Sequence, residues 1–246
     1  MKKRIFSLIL VASLIVPCMF LFTACKEEKP KAVVYVTQAN GLNKAIKEVK
    51  NGGTVVLNVD VELKEEISIT KKVTLDLNEK TISNSQEIWE DVENPKNDRL
   101  GLICVRSGGE LIVTGNGTMQ ALENDCYAIW LDSETSKLTI ENGTFIGNVS
   151  AVYVRKGQVE IKDGTFSIQQ LSRYDDCRYL LNCLDANYLN ETAQIIVTGG
   201  VFKDFNPSGN ESEGLNTNYL ADGYKVSAIT NASGTTYTVF FNSNVS

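Results

Sequence analysis

The side chains able to do chemistry in this 246-residue chain are carboxylates, arginines, thiols and aromatic rings, because it contains no histidine. That absence excludes an imidazole base, hence a Ser-His-Asp triad, and any His-ligated zinc site. The acidic candidates are Asp125, Asp132, Glu134, Asp175, Asp176 and Asp185. Two of them facing each other from neighbouring strands would suit general acid–base work. They lie in or beside turns, however, where Asp is common for its local hydrogen bonding. No complete catalytic set is legible among them. No EF-hand or CxxC spacing occurs, so neither a metal nor a cofactor is expected.

A second constellation is sharper. If Ile103, Ile129, Val152 and Leu181 point inward from successive strands, alternation turns Cys104, Trp130, Tyr153 and Asn182 outward in one column. Two residues further on, Arg106, Asp132 and Arg155 fall in the next outward column. Strands ~4.8 Å apart would make Trp130 and Tyr153 a flat aromatic strip beside an Arg-Asp-Arg row. Sugars bind such strips by stacking on rings and hydrogen bonding to hydroxyls. The competing reading is structural, with the aromatics packed under a loop and the charges forming a surface ion-pair ladder. The insertion at residues 83–100, which holds Trp89, is long enough to cover the strip.

Those positions presuppose strands. Leu42, Ala45, Ile46 and Val49 mark one face of a short helix within residues 39–51, and Gly52-Gly53 stops it. From Thr54 the period becomes two, as in Val55-Val56-Leu57 and Val73-Thr74-Leu75-Asp76-Leu77. No further helix is expected. Self-comparison then finds a repeat. Leu138-Thr139-Ile140-Glu141-Asn142-Gly143-Thr144-Phe145 matches Val159-Glu160-Ile161-Lys162-Asp163-Gly164-Thr165-Phe166, and residues 195–202 are a third copy. Residues 111–119 form a copy with one extra residue, and residues 75–82 a degenerate one. Each unit is too small to bury a core alone, so stacking of units is required. The glycine supplies the positive φ at each corner. A sandwich of hairpins is the alternative, since Asn-Gly also suits hairpin turns.

The helix, residues 52–57 and 73–83, and the Gly-Thr-Phe repeats to about residue 202 together resemble pectate-lyase-like proteins. The resemblance implies an all-β fold, a short right-handed parallel β-helix with an N-terminal capping helix. Residues from about 203 resemble the end module of bacterial surface β-helix proteins. The fold hosts lyases, hydrolases, adhesins and inert scaffolds, so function does not follow from it. Lyases of this kind use several acids for calcium and an Arg base, and its hydrolases use Asp clusters commonly with a His. Neither set carries over residue by residue.

The N-terminus reads as an address. Lys2, Lys3 and Arg4 precede an apolar run from Ile5 to Phe22, followed by Phe22-Thr23-Ala24-Cys25 and a polar stretch. This resembles a bacterial lipoprotein signal, with Phe22 where Leu is usual, and it implies a lipid on Cys25. An uncleaved transmembrane anchor is the other reading of that run. Either places the body outside the cytoplasm. The expected organisation is a signal at residues 1–24, a tether at 25–32 and one domain at 33–246. Cys104, Cys126, Cys177 and Cys183 then remain, with three possible pairings. Residues 25–246 carry 21 Lys+Arg and 30 Asp+Glu, a net charge of −9, which disfavours nucleic acid as a partner. The expectation is a non-catalytic surface lipoprotein anchored at the cell membrane, binding carbohydrate or a cell-surface glycan, or acting as an adhesin. A uronate-polysaccharide lyase is the alternative, and a ligand-free scaffold the third.

Overall fold

The structure, a computed structural model, describes residues 31–85, 101–122, 127–169 and 179–243. Cys25 with its signal, Trp89, Asp125, Cys126, Asp175, Asp176 and Cys177 lie outside those residues.

The fold is all-β, in two sheets of ten and eight strands whose pairings are parallel until the C-terminal end. The strands form three ladders, each turning apolar residues inward. The first ladder runs through β4 (Ile67–Ile69), β7 (Gly101–Val105), β10 (Tyr127–Ile140), β12 (Val152–Ile161) and β14 (Leu181–Cys183). Its register aligns Ile67, Ile103, Ile129, Val152 and Leu181, all buried. The inward column expected from alternation is therefore present.

The second ladder holds β1 (Lys31–Val36), β2 (Val49–Leu57), β5 (Lys72–Asp76), β8 (Glu110–Thr114), the later halves of β10 and β12, and β15 (Ala193–Val197). It aligns Val34, Val55, Leu75, Val113, Ile140, Ile161 and Val197. β10 serves both ladders by turning a corner after Asp132, where its register shifts. The corner is fixed by Ser136, fully buried, whose hydroxyl donates to the carbonyls of Val105 (2.8 Å) and Arg106 (2.9 Å).

The third ladder comprises β3 (Val61–Leu63), β6 (Thr81–Asn84), β9 (Thr118–Gln120), β11 (Thr144–Gly147), β13 (Thr165–Ile168) and β16 (Val201–Lys203). It aligns Val61, Ile82, Met119, Phe145, Phe166 and Phe202. The three phenylalanines are fully buried and stack at 5.1 and 5.0 Å with interplanar angles of 13° and 8°. The repeat's glycine turns the chain into this ladder. Gly143 and Gly164 have φ of 124° and 122°, and Asn142 and Asp163 accept the following amide through Oδ1 at 2.7 and 2.8 Å. An added Cβ at Gly164 would sit 3.0 Å from the carbonyl oxygen of Gly143, so both backbone conformation and space demand glycine.

Four differences from expectation have local causes. The helix, α1 (Leu42–Glu48), ends before Val49, and β2 runs through Gly52-Gly53, so the glycines sit in a strand and do not cap the helix. β1 already begins at Lys31, inside the segment expected to be tether. A five-residue helix, α2 (Asp185–Leu189), is too short for periodicity to reveal. At the C-terminal end the pairing turns antiparallel, with β17 (Tyr224–Asn231) and β18 (Gly234–Phe241) forming a hairpin whose β18 edge joins β16.

Candidate functional site

The outward column of the first ladder is aligned as alternation requires. Ser68, Cys104, Trp130, Tyr153 and Asn182 are register partners on successive strands. Its exposure is different from the expectation. Trp130 and Cys104 are fully buried, Ser68 at the N-terminal end is exposed, and Tyr153 and Asn182 keep partial access to solvent.

Trp130 is buried because a second, polar layer lies over the column. Its indole N–H donates to Oε2 of Glu66 at 2.7 Å. Arg106 donates to Glu66 Oε1 at 2.7 Å and to Ser68 Oγ at 3.2 Å, and its guanidinium carbon stands 5.4 Å from the Trp130 ring centroid. Glu66 has a side chain only 2% exposed, and burial pushes its carboxyl up despite Arg106 and the indole. The Trp130 ring is therefore spoken for on its polar edge, by Glu66, and on the side the guanidinium overlies. An open stacking platform at Trp130 is corrected to a buried anchor. Burial also raises the Cys104 thiol, so it is an inert packed group.

The charged row is assembled by side-chain contacts and not by strict register, since β10 and β12 shift there and set Asp132 opposite Lys156. Asp132 lies 3.2 Å from both Arg106 Nη1 and Arg155 Nη1, joining three successive strands. All three side chains are partly exposed, at 33%, 28% and 40% in the order Arg106, Asp132, Arg155. Glu134 is paired instead with Lys156 at 2.8 Å on the surface.

Next to Arg155 the column opens. Tyr127 and Tyr153 rings meet at 4.9 Å and 30°, both half-buried. Beyond them, towards the C-terminus, lies a polar group centred on Glu213. Its Oε1 accepts from the Tyr219 hydroxyl at 2.7 Å and from the Cys183 amide, while Oε2 is buried with no hydrogen-bond partner among the described residues. Ser212 and the Tyr219 hydroxyl share a 2.6 Å hydrogen bond, and Tyr188 packs edge-on to Tyr219 at 6.2 Å. Burial, with the Asp185 carboxylate nearby, raises the Glu213 carboxyl to about 7. Tyr153 feels the charges of Arg155, Glu213 and Asp185, so the phenols and these acids form one region.

Sequence reasoning placed Asp185 among its acids but missed Glu66, Tyr127, Glu213 and Tyr219. Glu66 reads as a charged break between strands. Tyr127 falls on the inward side when alternation is counted from Ile129. Glu213 and Tyr219 lie between β16 and β17, where no period guides the eye. Among the described residues no group of three or more Cys, Asp or Glu converges as a metal site, and no helix is long and apolar enough to cross a membrane.

The raised Glu213 carboxyl has a measurable consequence. Its neutral form is favoured in the folded state, so its stabilising contribution is complete below the ordinary value of 4.5 and is lost as pH rises through about 7. Partial solvent screening reduces the effect to about 1–2 kcal/mol. Glu213→Gln should therefore flatten the urea-unfolding stability between pH 5 and 8 relative to the parent chain. An unchanged slope would show that Glu213 is ionised in the fold at neutral pH.

Compared with protein families, with curated proteins and with solved structures, the chain matches none. What the fold and site define together is an all-β body of mostly parallel strands with a half-open tyrosine pair beside an Arg-Asp-Arg row.

Proposed function

We propose that this chain is an exported lipoprotein, anchored in the cell membrane through Cys25, whose body is a short right-handed parallel β-helix that binds a surface carbohydrate without cleaving it. Three parallel ladders visited in turn, one Asx-Gly corner per repeat and stacked equivalent residues support the β-helix reading. The N-terminal sequence supports the anchor. The single observation that carries carbohydrate binding is the Tyr127–Tyr153 pair at 4.9 Å, with Arg155 and Asp132 alongside. Half-exposed rings offer apolar faces to the C–H side of a sugar, while guanidinium and carboxylate match its hydroxyls. The ligand strip thus shifts from Trp130 to Tyr153, Tyr127 and Arg155, with Arg106 and Asp132 holding Arg155 in line.

A glycan array probed with the intact chain tests this reading. Binding of one or a few polysaccharide classes is expected, weakened at least tenfold by Tyr153→Ala with the melting curve intact. Absence of all glycan binding, or binding unaffected by Tyr153→Ala and Arg155→Ala, would sink it.

One observation favours a second reading. Glu213, buried and raised to about 7 with the Asp185 charge nearby, has the character of a general acid for glycan chemistry. Release of reducing ends or unsaturated uronate products, abolished by Glu213→Gln, would establish an enzyme in place of a binding protein.

A further inference from the structure

The N-terminal end of the ladders carries charge opposite in sign to the rest. Residues 31–50 hold Lys31, Lys44, Lys47 and Lys50 against a single acid, Glu48, a local +3 in a body of −9. All four lysines are exposed. They belong to one face. Lys31 on β1 and Lys44 on α1 both reach the Glu48 carboxylate, at 3.9 and 3.6 Å. Lys47 is three residues from Lys44 on the same helix flank. Lys50 follows Val49, the register partner of Lys31. Lys71 is spent elsewhere, donating to the carbonyls of Lys47 and Val49 where α1 ends. The opposite flank of α1 meets Glu62, Lys64 and Glu65, so the excess of positive charge stops there.

Two apolar groups share this end. Val33 and Tyr35, on the outer side of the edge strand β1, are 45% and 59% exposed, and Tyr35 lines a cleft with Lys44 and Glu48. Lysine stems around an exposed tyrosine suit the boundary between water and lipid headgroups.

We infer that this face, Lys31, Lys44, Lys47 and Lys50 around Tyr35, docks on an anionic lipid surface and stands the body on its N-terminal end. The inference rests on the lipid anchor at Cys25. Lys31 follows that cysteine by six residues, a reach of at most roughly 20 Å at full extension. The basic face is thus the part of the described fold held nearest the bilayer. Each lysine close to an anionic surface contributes about fivefold in partition, and the attraction fades within a Debye length of ~8 Å. The acidic remainder is repelled by the same surface, which turns the ligand face outward.

The test uses the intact chain, purified from membranes and reconstituted in vesicles of phosphatidylcholine alone or with one third phosphatidylglycerol. Lysine acetylation rates are read by mass spectrometry. On the anionic vesicles Lys44, Lys47 and Lys50 should label at least fivefold more slowly, while Lys162 and Lys203 are unchanged. High salt should erase the protection, and Lys31→Gln with Lys50→Gln, a surface change whose melting temperature is checked alongside, should weaken it at Lys44 and Lys47. Equal labelling on both vesicle types overturns the docking face. Protection by a soluble polyanion with none on anionic vesicles also overturns it, in favour of a wall polymer. The anchor is read separately, by loss of detergent-phase partition in Cys25→Ser. Unaltered partition overturns the anchor reading, whereas the acetylation contrast decides the face.

Discussion

Trp130→Ala is expected to destabilise the folded body by about 4 kcal/mol, the range for truncating a fully buried tryptophan. For a domain of this size the melting temperature should fall by about 10 °C. The cost has two parts. The first is the cavity, since Trp130 lies between Cys104 and Tyr153 in a ladder whose backbone spacing cannot close. The second is electrostatic. Glu66 loses the donor to Oε2 in a site where its side chain is 2% exposed, and Arg106 loses the ring it overlies. Trp130→Phe separates the parts. It keeps most of the volume and removes the N–H, and it should cost about 1–3 kcal/mol. Chemical unfolding of both variants by circular dichroism measures the pair. A loss below about 1 kcal/mol for the alanine variant would mean an indole open to solvent, and Trp130 would return to the ligand strip.

The same residue shows how far the chain can be read without coordinates. Alternation placed Trp130 in the outward column, and its register with Cys104 and Tyr153 follows. Alternation says which side of a strand a residue takes. It is silent on what lies over that side. Here the cover includes Glu66, 64 residues earlier, which no period connects to Trp130. The Arg106-Asp132-Arg155 row was legible because its members recur at the repeat spacing. Glu213 was not, because it sits in the irregular stretch between β16 and β17, outside the repeat. The antiparallel hairpin at the end escaped for a related reason. It lies outside the repeat, and strand direction leaves no mark on a two-residue period.

Phe166→Ala is the second large effect, about 4 kcal/mol, and it bears on how the body holds together. Phe166 is the middle ring of three, stacked on Phe145 at 5.1 Å and Phe202 at 5.0 Å. Its removal strips both neighbours at once. The site cannot relax, because β11 and β16 hydrogen bond to β13 on either side and fix the spacing. The corner glycine adds rigidity, since Gly164 lies with its ideal Cβ position 3.2 Å from the Phe166 ring. Phe166→Leu should recover more than half of the loss by refilling the volume. If the body is a stack coupled only between neighbours, alanine substitutions at Phe145 and Phe166 should be non-additive by about 0.5–1.5 kcal/mol. Substitutions at Phe145 and Phe202, which have Phe166 between them, should add within about 0.5 kcal/mol. Strong coupling between those outer rings would contradict a one-dimensional stack. Urea unfolding of the single and double variants is sufficient to decide, because each predicted difference exceeds the error of a well-determined midpoint.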